Sequence, residues 1–368
     1  MATTPTTITD VARVAGVSKA AVSFALNGRP GVAADTRERI LAVARDLGWT
    51  PSLRGRALSV SRALAVGLVI ARTPETLGAD PFFGAFISGI ETVLSERGYA
   101  LMLQVVSDEA SEHDSYRQLA ATGRVDGVFL TDMRVDDLRP QMLADLGMPT
   151  VVIGPAPAGG TWSAVGIDDQ AGISAAVEHL VALGHRNIAH VSGPTEFVHS
   201  ASRRDAWAGA IAEAGLPSGP CITADFSAQD GANATSALLD LAEPPTAIVY
   251  ANDLMAIAGM STAIGRGVDV PGQLSITGFD DAPLSAYIQP ALTTVRTDVV
   301  GWGRAAALQL LALVDHVACP QIDLPAPEFV IRASTAPPSH PGHPGHPGHG
   351  APSKERRGSA SILHRKKS

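Results

Sequence analysis

Four polar side chains stand where an apolar, β-branched run ends or a helical stretch begins. They are Thr131 after residues 127–130, Arg203 near a helix start, Asn252 after Ala247–Tyr250 and Asp280 after residues 274–279. A guanidinium, an amide and a carboxylate converging on one point supply fixed donors and acceptors. With Phe226 as a stacking platform, the set suits a polyhydroxylated sugar. The competing reading is that Asn252 and Asp280 cap helices or turns, as such residues routinely do. A second set lies near the N-terminus, where Ser18, Lys19, Ala20, Ala21 and Ser23 share the outer face of a short helical segment. Lys19 could donate to guanine, whereas Ala20 and Ala21 offer only methyl contacts to thymine. Enzymatic chemistry has no such support: no Gly-x-Gly-x-x-Gly follows the first strand, and no phosphate loop, Ser-His-Asp set or metal spacing stands out. His179, His185 and His190 fall on a helix, a loop and a strand and read as structural.

The elements that must position these groups follow from periodicity. Between Thr7 and Leu26 the apolar residues Val11, Ala12, Ala15, Val22 and Leu26 recur at helical spacing, broken once at Ala15-Gly16-Val17-Ser18. Thr7 with Asp10 predicts a capping box, Ser18 a second cap, and Gly16 a turn with positive φ. A third helix over residues 34–47 covers both, making a helix-turn-helix whose second helix can enter a major groove; a small helical bundle without a DNA role is the alternative. Asn27, Thr36 and Arg37 are placed to hold phosphates, or form a merely solvated face. Residues 49–58 predict a short helix that is marginal on its own.

From Leu64 onward strands and helices alternate. Residues 64–70, Ala100–Val106, 127–130 and Thr150–Ile153 read as buried parallel strands, with helices over 83–97 and 112–122 between them. A second series repeats the pattern through strands at 188–191, Ala247–Tyr250 and 274–279. Two doubly wound sheets facing each other place a ligand at the carboxyl ends of their strands. Residues 292–295 are expected to return the chain to the first lobe. Asp80-Pro81-Phe82-Phe83 opens a helix beside the first strand, with Phe82 or Phe83 as a cleft wall or as core.

Charge is unevenly spread over the 368 residues. Residues 1–62 carry nine Lys and Arg against four Asp and Glu, and residues 336–368 carry six against one. Because the whole chain is −8, the stretch between them is −18, so the basic head is the part suited to DNA. Cys221 and Cys319 are too few for a disulfide scaffold. No apolar run reaches 18 residues and no signal-like segment opens the chain, so a cytoplasmic protein without membrane contact is expected. From Ala336 the chain is low-complexity, with His340, His343, His346 and His349 in a His-Pro-Gly repeat. Those histidines could bind a transition metal, but a disordered linker is the expectation, with no metal and no cofactor.

The motifs Thr7-Ile8-Thr9-Asp10-Val11-Ala12, Gly16-Val17-Ser18, Val22-Ser23, Leu26-Asn27, Thr36-Arg37-Glu38-Arg39-Ile40 and Leu47-Gly48-Trp49-Thr50-Pro51 resemble the DNA-binding head of the lac repressor and galactose repressor family. The resemblance extends from residue 8 to about 333. It implies an N-terminal all-α helix-turn-helix head with a hinge helix, then an α/β two-lobed periplasmic-binding-protein-like core of two doubly wound parallel sheets. The implied boundaries are 1–50 for the head, 51–62 for the hinge, 63–335 for the core and 336–368 for the tail. Within the core the lobes are 63–163 plus 293–324 and 164–292 plus 325–335. It implies a repressor acting as a homodimer on operator DNA under a sugar-like effector. A transport-type solute-binding protein, or a regulator with a nucleobase-like effector or none, is the alternative. By resemblance Lys19, Ala20 and Ala21 read bases, Arg56 and Leu58 of the hinge join the DNA-binding set, and Arg203, Phe226, Asn252 and Asp280 contact the effector. Three positions depart from the pattern: Phe24 replaces a common arginine, either meeting thymine or turning into the core. Ala33 replaces a serine cap, and Gly154-Pro155-Ala156-Pro157 replaces an aspartate that bonds a sugar hydroxyl. Apolar wedges in a minor groove offset unstacking with added contacts. Leu58→Ala is therefore expected to weaken binding to a selected operator by about 1–3 kcal/mol in a titration, unchanged affinity refuting the wedge.

Overall fold

The computed structural model describes residues 6–26, 30–49, 62–157, 161–166, 168–318, 322 and 324–339. Asn27, Arg56, Leu58, the hinge segment up to residue 61, Cys319 and the His-Pro-Gly repeat lie outside them. The head consists of α1 (Ile8–Ala15), α2 (Lys19–Leu26) and α3 (Ala34–Asp46). At its start the Asp10 carboxylate accepts from the Thr7 N–H at 3.0 Å and the Thr7 hydroxyl at 2.7 Å. Gly16, at φ 66°, ends α1, and the Ser18 hydroxyl caps α2 by accepting from the Ala21 N–H at 3.1 Å. At Ala33 no side chain caps α3, leaving Asp35 as the acidic group in its first turn. Val11, Ala12, Ala15, Val22, Ala25, Ile40 and Ala44 form the buried core. Phe24 is not part of that core: it is 38% exposed.

The body begins with β1 (Ala65–Ala71), α4 (Pro74–Ala79), α5 (Pro81–Arg97), β2 (Ala100–Val106), α6 (Glu109–Thr122) and β3 (Val128–Leu130). It continues with α7 (Arg139–Asp145), β4 (Thr150–Ile153) and β5 (Ser163–Val165). These strands form a parallel sheet in the order β2-β1-β3-β4-β5. The second lobe contains α8 (Asp169–Ala182), β6 (Ile188–Ser192), α9 (Val198–Glu213), β7 (Cys221–Thr223), α10 (Ala228–Leu239), β8 (Ala247–Tyr250), α11 (Asp253–Gly265) and β9 (Ser275–Thr277). Its sheet is parallel in the order β7-β6-β8-β9. Then come β10 (Thr294–Arg296), α12 (Val299–Val314) and β11 (Glu328–Val330).

Four expectations change. The run at 292–295 does not return to the first lobe: β10 pairs antiparallel with β11, and Thr293 and Arg296 bridge to Thr277 and Asp280 beside β9. β10 and β11 form a two-stranded sheet of their own, and the chain crosses between β10 and α12, because those bridges hold β10 beside the second sheet. Conversely β5 extends the first sheet, moving that crossing past residue 165. β2 is an edge strand rather than a buried one, with Leu103 and Val105 exposed, since β1 covers only one of its sides. The body also continues past residue 335: the Ala336 carbonyl meets His185 Nε2 at 2.9 Å and accepts from the Ser275 hydroxyl at 3.0 Å.

In the first lobe α5 and α12 meet backbone to backbone. A Cβ on Gly89 would stand 2.1 Å from the Val300 carbonyl oxygen, and one on Gly303 would stand 2.2 Å from that of Phe86. Only glycine permits this approach, and Phe86, Ile90, Trp302, Ala306 and Leu310 close the core around it. Gly303→Ala should destabilise the protein by about 1–3 kcal/mol through overpacking, against alanine's helix preference of about 1 kcal/mol. A denaturation midpoint equal to wild type would contradict the close crossing.

Candidate ligand cleft and nucleic-acid interface

In a sheet ordered β2-β1-β3-β4-β5 the crossovers diverge between β1 and β3, which opens a crevice at their carboxyl ends. Arg72 leaves β1 there, and Thr131 and Asp132 leave β3. The second sheet diverges between β6 and β8, where Gly193 and Asn252 emerge. The two crevices face each other across one cavity with about 770 Å3 of empty space, including its open mouth. Phe82, Phe83, Thr131, Arg203, Phe226, Asn252 and Asp280 all line it. So do Asp80, from the same segment as Phe82, and residues to which the sequence assigns no role, among them Arg72, Asp132, Asp169, His199 and Trp302.

Two guanidiniums dominate the cavity, and each is already engaged. Arg72 makes a two-pronged pair with Asp132, both contacts at 2.9 Å. Burial pushes the Asp132 carboxyl up, but the charge and hydrogen bonds of Arg72 hold it below the usual range. Arg203 donates to Asp169 at 3.1 Å and to the Ala251 carbonyl at 2.6 Å, while its Cζ lies 3.8 Å from the Phe279 ring centroid. The second oxygen of Asp169 is buried with no hydrogen-bond partner among the described residues.

Asn252 is both a cap and a cavity residue. Its Oδ1 accepts from the Met255 N–H at 2.9 Å, and its Nδ2 donates to the Phe226 carbonyl at 3.1 Å, leaving one amide hydrogen toward the cavity. Asp80 caps α5 through the Phe82 N–H at 2.9 Å. The Asp280 carboxylate accepts no hydrogen bond among the described residues. Burial pushes the carboxyls of Asp80 and Asp280 upward, Asp280 the further. Three cavity residues hold left-handed backbone despite their side chains: Asp132 (φ 50°), Phe226 (φ 71°) and Asp280 (φ 106°). Such conformations cost free energy and gather at binding sites.

The aromatic groups differ from expectation. Phe226 is only 6% exposed, and its ring stacks on His199 with centroids 5.5 Å apart; His199 stacks in turn on Phe197 at 5.5 Å. The platform is therefore largely covered by the protein itself. Burial drops the His199 imidazole to about 4, so it is neutral at neutral pH. On the opposite wall Phe82 meets Phe83 and Trp302 edge to face, at 5.3 and 5.6 Å. The lobes also touch through backbone, the Val135 N–H donating to the Glu196 carbonyl and the Val198 N–H to that of Met133, each at 2.8 Å. Fully buried Arg139 supports this loop by holding the Asp132 carbonyl at 2.7 Å and pairing with Glu112 and Asp137. Gly154 and Pro155 line the cavity where the expected aspartate is missing. Among the described residues no cluster of His, Cys, Asp and Glu is placed to hold a metal ion.

On the head, Ser18, Lys19 and Ala20 are exposed at the start of α2, with Ala21 and Ser23 half-buried behind them and Phe24 exposed one turn on. Thr36 and Arg37, in the first turn of α3, are half-buried. Among the described residues no helix is long and apolar enough to cross a membrane.

A helix-turn-helix head joined to a two-lobed cleft defines a ligand-responsive class of DNA-binding protein. Residues 7–52 match the lacI family of bacterial regulatory proteins, and residues 177–335 match a periplasmic binding protein-like domain. The chain is 35% identical to the HTH-type transcriptional regulator reg1 of Streptomyces lividans, over 90% of this chain and 97% of the relative. It is 32% identical to the regulator CelR of Thermobifida fusca, over 83% and 91%. The lac repressor dimer bound to operator and the anti-inducer ONPF superposes with a TM-score of 0.79 at 26% identity, covering 90% of this chain and all of that one. A complex of CelR with cellobiose superposes at 0.67 with 30% identity, covering 89% and 99%. The chain belongs to the LacI family; it is a DNA-binding transcriptional regulator and not an enzyme.

The Arg72–Asp132 pair generates a test. Removing one partner of a pair this buried leaves an uncompensated charge. Arg72→Met should therefore destabilise by about 3 kcal/mol or more, and Arg72→Met/Asp132→Asn by clearly less. Additive losses in chemical denaturation would show the pair is not coupled.

Proposed function

We propose that this regulator is a repressor that acts as a homodimer on a pseudo-palindromic operator and is controlled by a sugar-like effector bound between its lobes. The observation that carries this reading is the shared cavity, where Arg203, Asn252 and Asp280 from the second lobe face Phe82, Phe83 and Thr131 from the first. A ligand held by both lobes binds one relative arrangement better than another, and that difference is what can shift the head. The CelR complex with cellobiose supports a sugar as the ligand, and the operator-bound lac repressor dimer supports two copies on one duplex. In the head, Ser18, Lys19, Ala20, Ala21, Ser23 and Phe24 on α2 face the groove, with Asn27, Thr36 and Arg37 holding phosphates. Arg56 and Leu58 engage the duplex from the hinge. Direct base readout is sparse, since Lys19 is the long donor among the helix residues, so hinge insertion carries much of the specificity.

The experiment begins with selection of a preferred duplex by the purified chain from random sequence. Calorimetric titrations of a bound sugar, with and without that duplex, then test linkage. The two ligands must change each other's affinity by the same factor. Absence of any sequence preference, or a sugar affinity indifferent to the duplex, would overturn the proposal.

A further inference from the structure

We infer that the effector is an uncharged polyol and that the cleft rejects sugars bearing a phosphate or carboxylate. This rests on reading the cleft as a sugar site. Its cationic side chains are Arg72 and Arg203, and both face carboxylates already: Arg72 has Asp132 on two prongs, and Arg203 has Asp169 together with the Ala251 carbonyl. His199 is neutral and packed between two phenyl rings. Against these stand two further carboxylates, Asp80 on the first lobe and Asp280 on the second, neither in an ion pair among the described residues.

An anion would otherwise look to helix N-termini. The Asp80 carboxylate occupies that of α5, the Asp168 carboxylate accepts from Gln170 and Ala171 at that of α8, and Asn252 caps α11. The start of α9 has no side-chain cap, but its first N–H is given to the Met133 carbonyl. A phosphate or carboxylate entering here meets no cation that lacks a carboxylate partner, and two carboxyl groups outside any ion pair, and shedding its water is then uncompensated. Hydroxyls fit the same surroundings. They donate to Asp80 and to Asp280, and accept from the spare hydrogens of Asn252 and Arg203. Burial is the main cause that raises the Asp280 carboxyl; the charge of Arg203 opposes it, and the neighbouring acids Asp80, Asp253 and Asp169 raise it further.

Glucose, maltose and cellobiose, titrated calorimetrically into the full chain beside glucose 6-phosphate, glucuronate and cellobionate, test the inference. At least one neutral sugar should bind, with its anionic counterpart about tenfold weaker or worse. Asp80→Asn keeps the cap, since asparagine caps as well as aspartate, and should narrow that gap several-fold by strengthening the anionic ligand. An anionic sugar that binds as tightly as its neutral counterpart, or a gap that Asp80→Asn leaves unchanged, overturns the charge selectivity while the sugar reading stands. If no sugar of either charge binds, the sugar reading itself falls and takes the inference with it.

Discussion

A parallel sheet brings every crossover back over the same edge, so the loops that leave the carboxyl ends of its strands gather on one side. Where consecutive crossovers diverge to opposite faces, the backbone parts and a crevice remains. Two such sheets appear here with their crevices opposed, and nearly every polar group in the cavity owes its position to that arrangement. Arg72 and Asp132 pair because β1 and β3 are neighbours across the first divergence. Arg203 reaches the Ala251 carbonyl because β8 ends beside the helix that follows β6. The site is in this sense a property of strand order, and side-chain identity selects what it holds.

Much of this was legible in the residues, for physical reasons that differ by element. The head announced itself because a capping box, a positive-φ glycine and a serine cap are local devices, and all three form as their spacing requires. Strand ends were legible because buried parallel strands are continuous apolar runs, so Thr131, Asn252 and Asp280 stood out as the first polar residues after them. The same rule would have found Arg72, which follows β1 directly, and Asp132, which follows Thr131.

Other elements left little trace. The helix Val299–Val314 is apolar on nearly every side because it packs between α5 and the sheet, so no polar face marks its period. Without that helix, Trp302 could not be placed in the cavity. The lobe assignment of residues 292–295 fails for a related reason. A short β-branched run does not say which lobe it will join, and here an antiparallel ladder with β11 and bridges to Thr277 and Asp280 decide it. The covered state of Phe226 depends on His199 and Phe197, neighbours in space that no spacing rule connects.

The cavity and the segment that leads toward the head lie at opposite ends of the first lobe's strands. The segment that enters the body from the head is fastened at the amino end of β1: Asp126 accepts from the N–H groups of Ala63 and Leu64, both at 2.8 Å. Arg62 pairs with Asp315 and donates to the Val314 carbonyl at 2.9 Å, at the last turn of α12. Near its other end the same helix carries Trp302, which lines the cavity and donates to the Val165 carbonyl at 2.7 Å. The continuous helix from Trp302 to Val314, about 18 Å, therefore joins the cavity wall to the anchor. The close glycine crossing with α5 leaves this helix little room to shift within its own lobe. Any change in how the two lobes meet around a ligand must then be taken up at the crossings between them, and the anchor moves with the first lobe as one body.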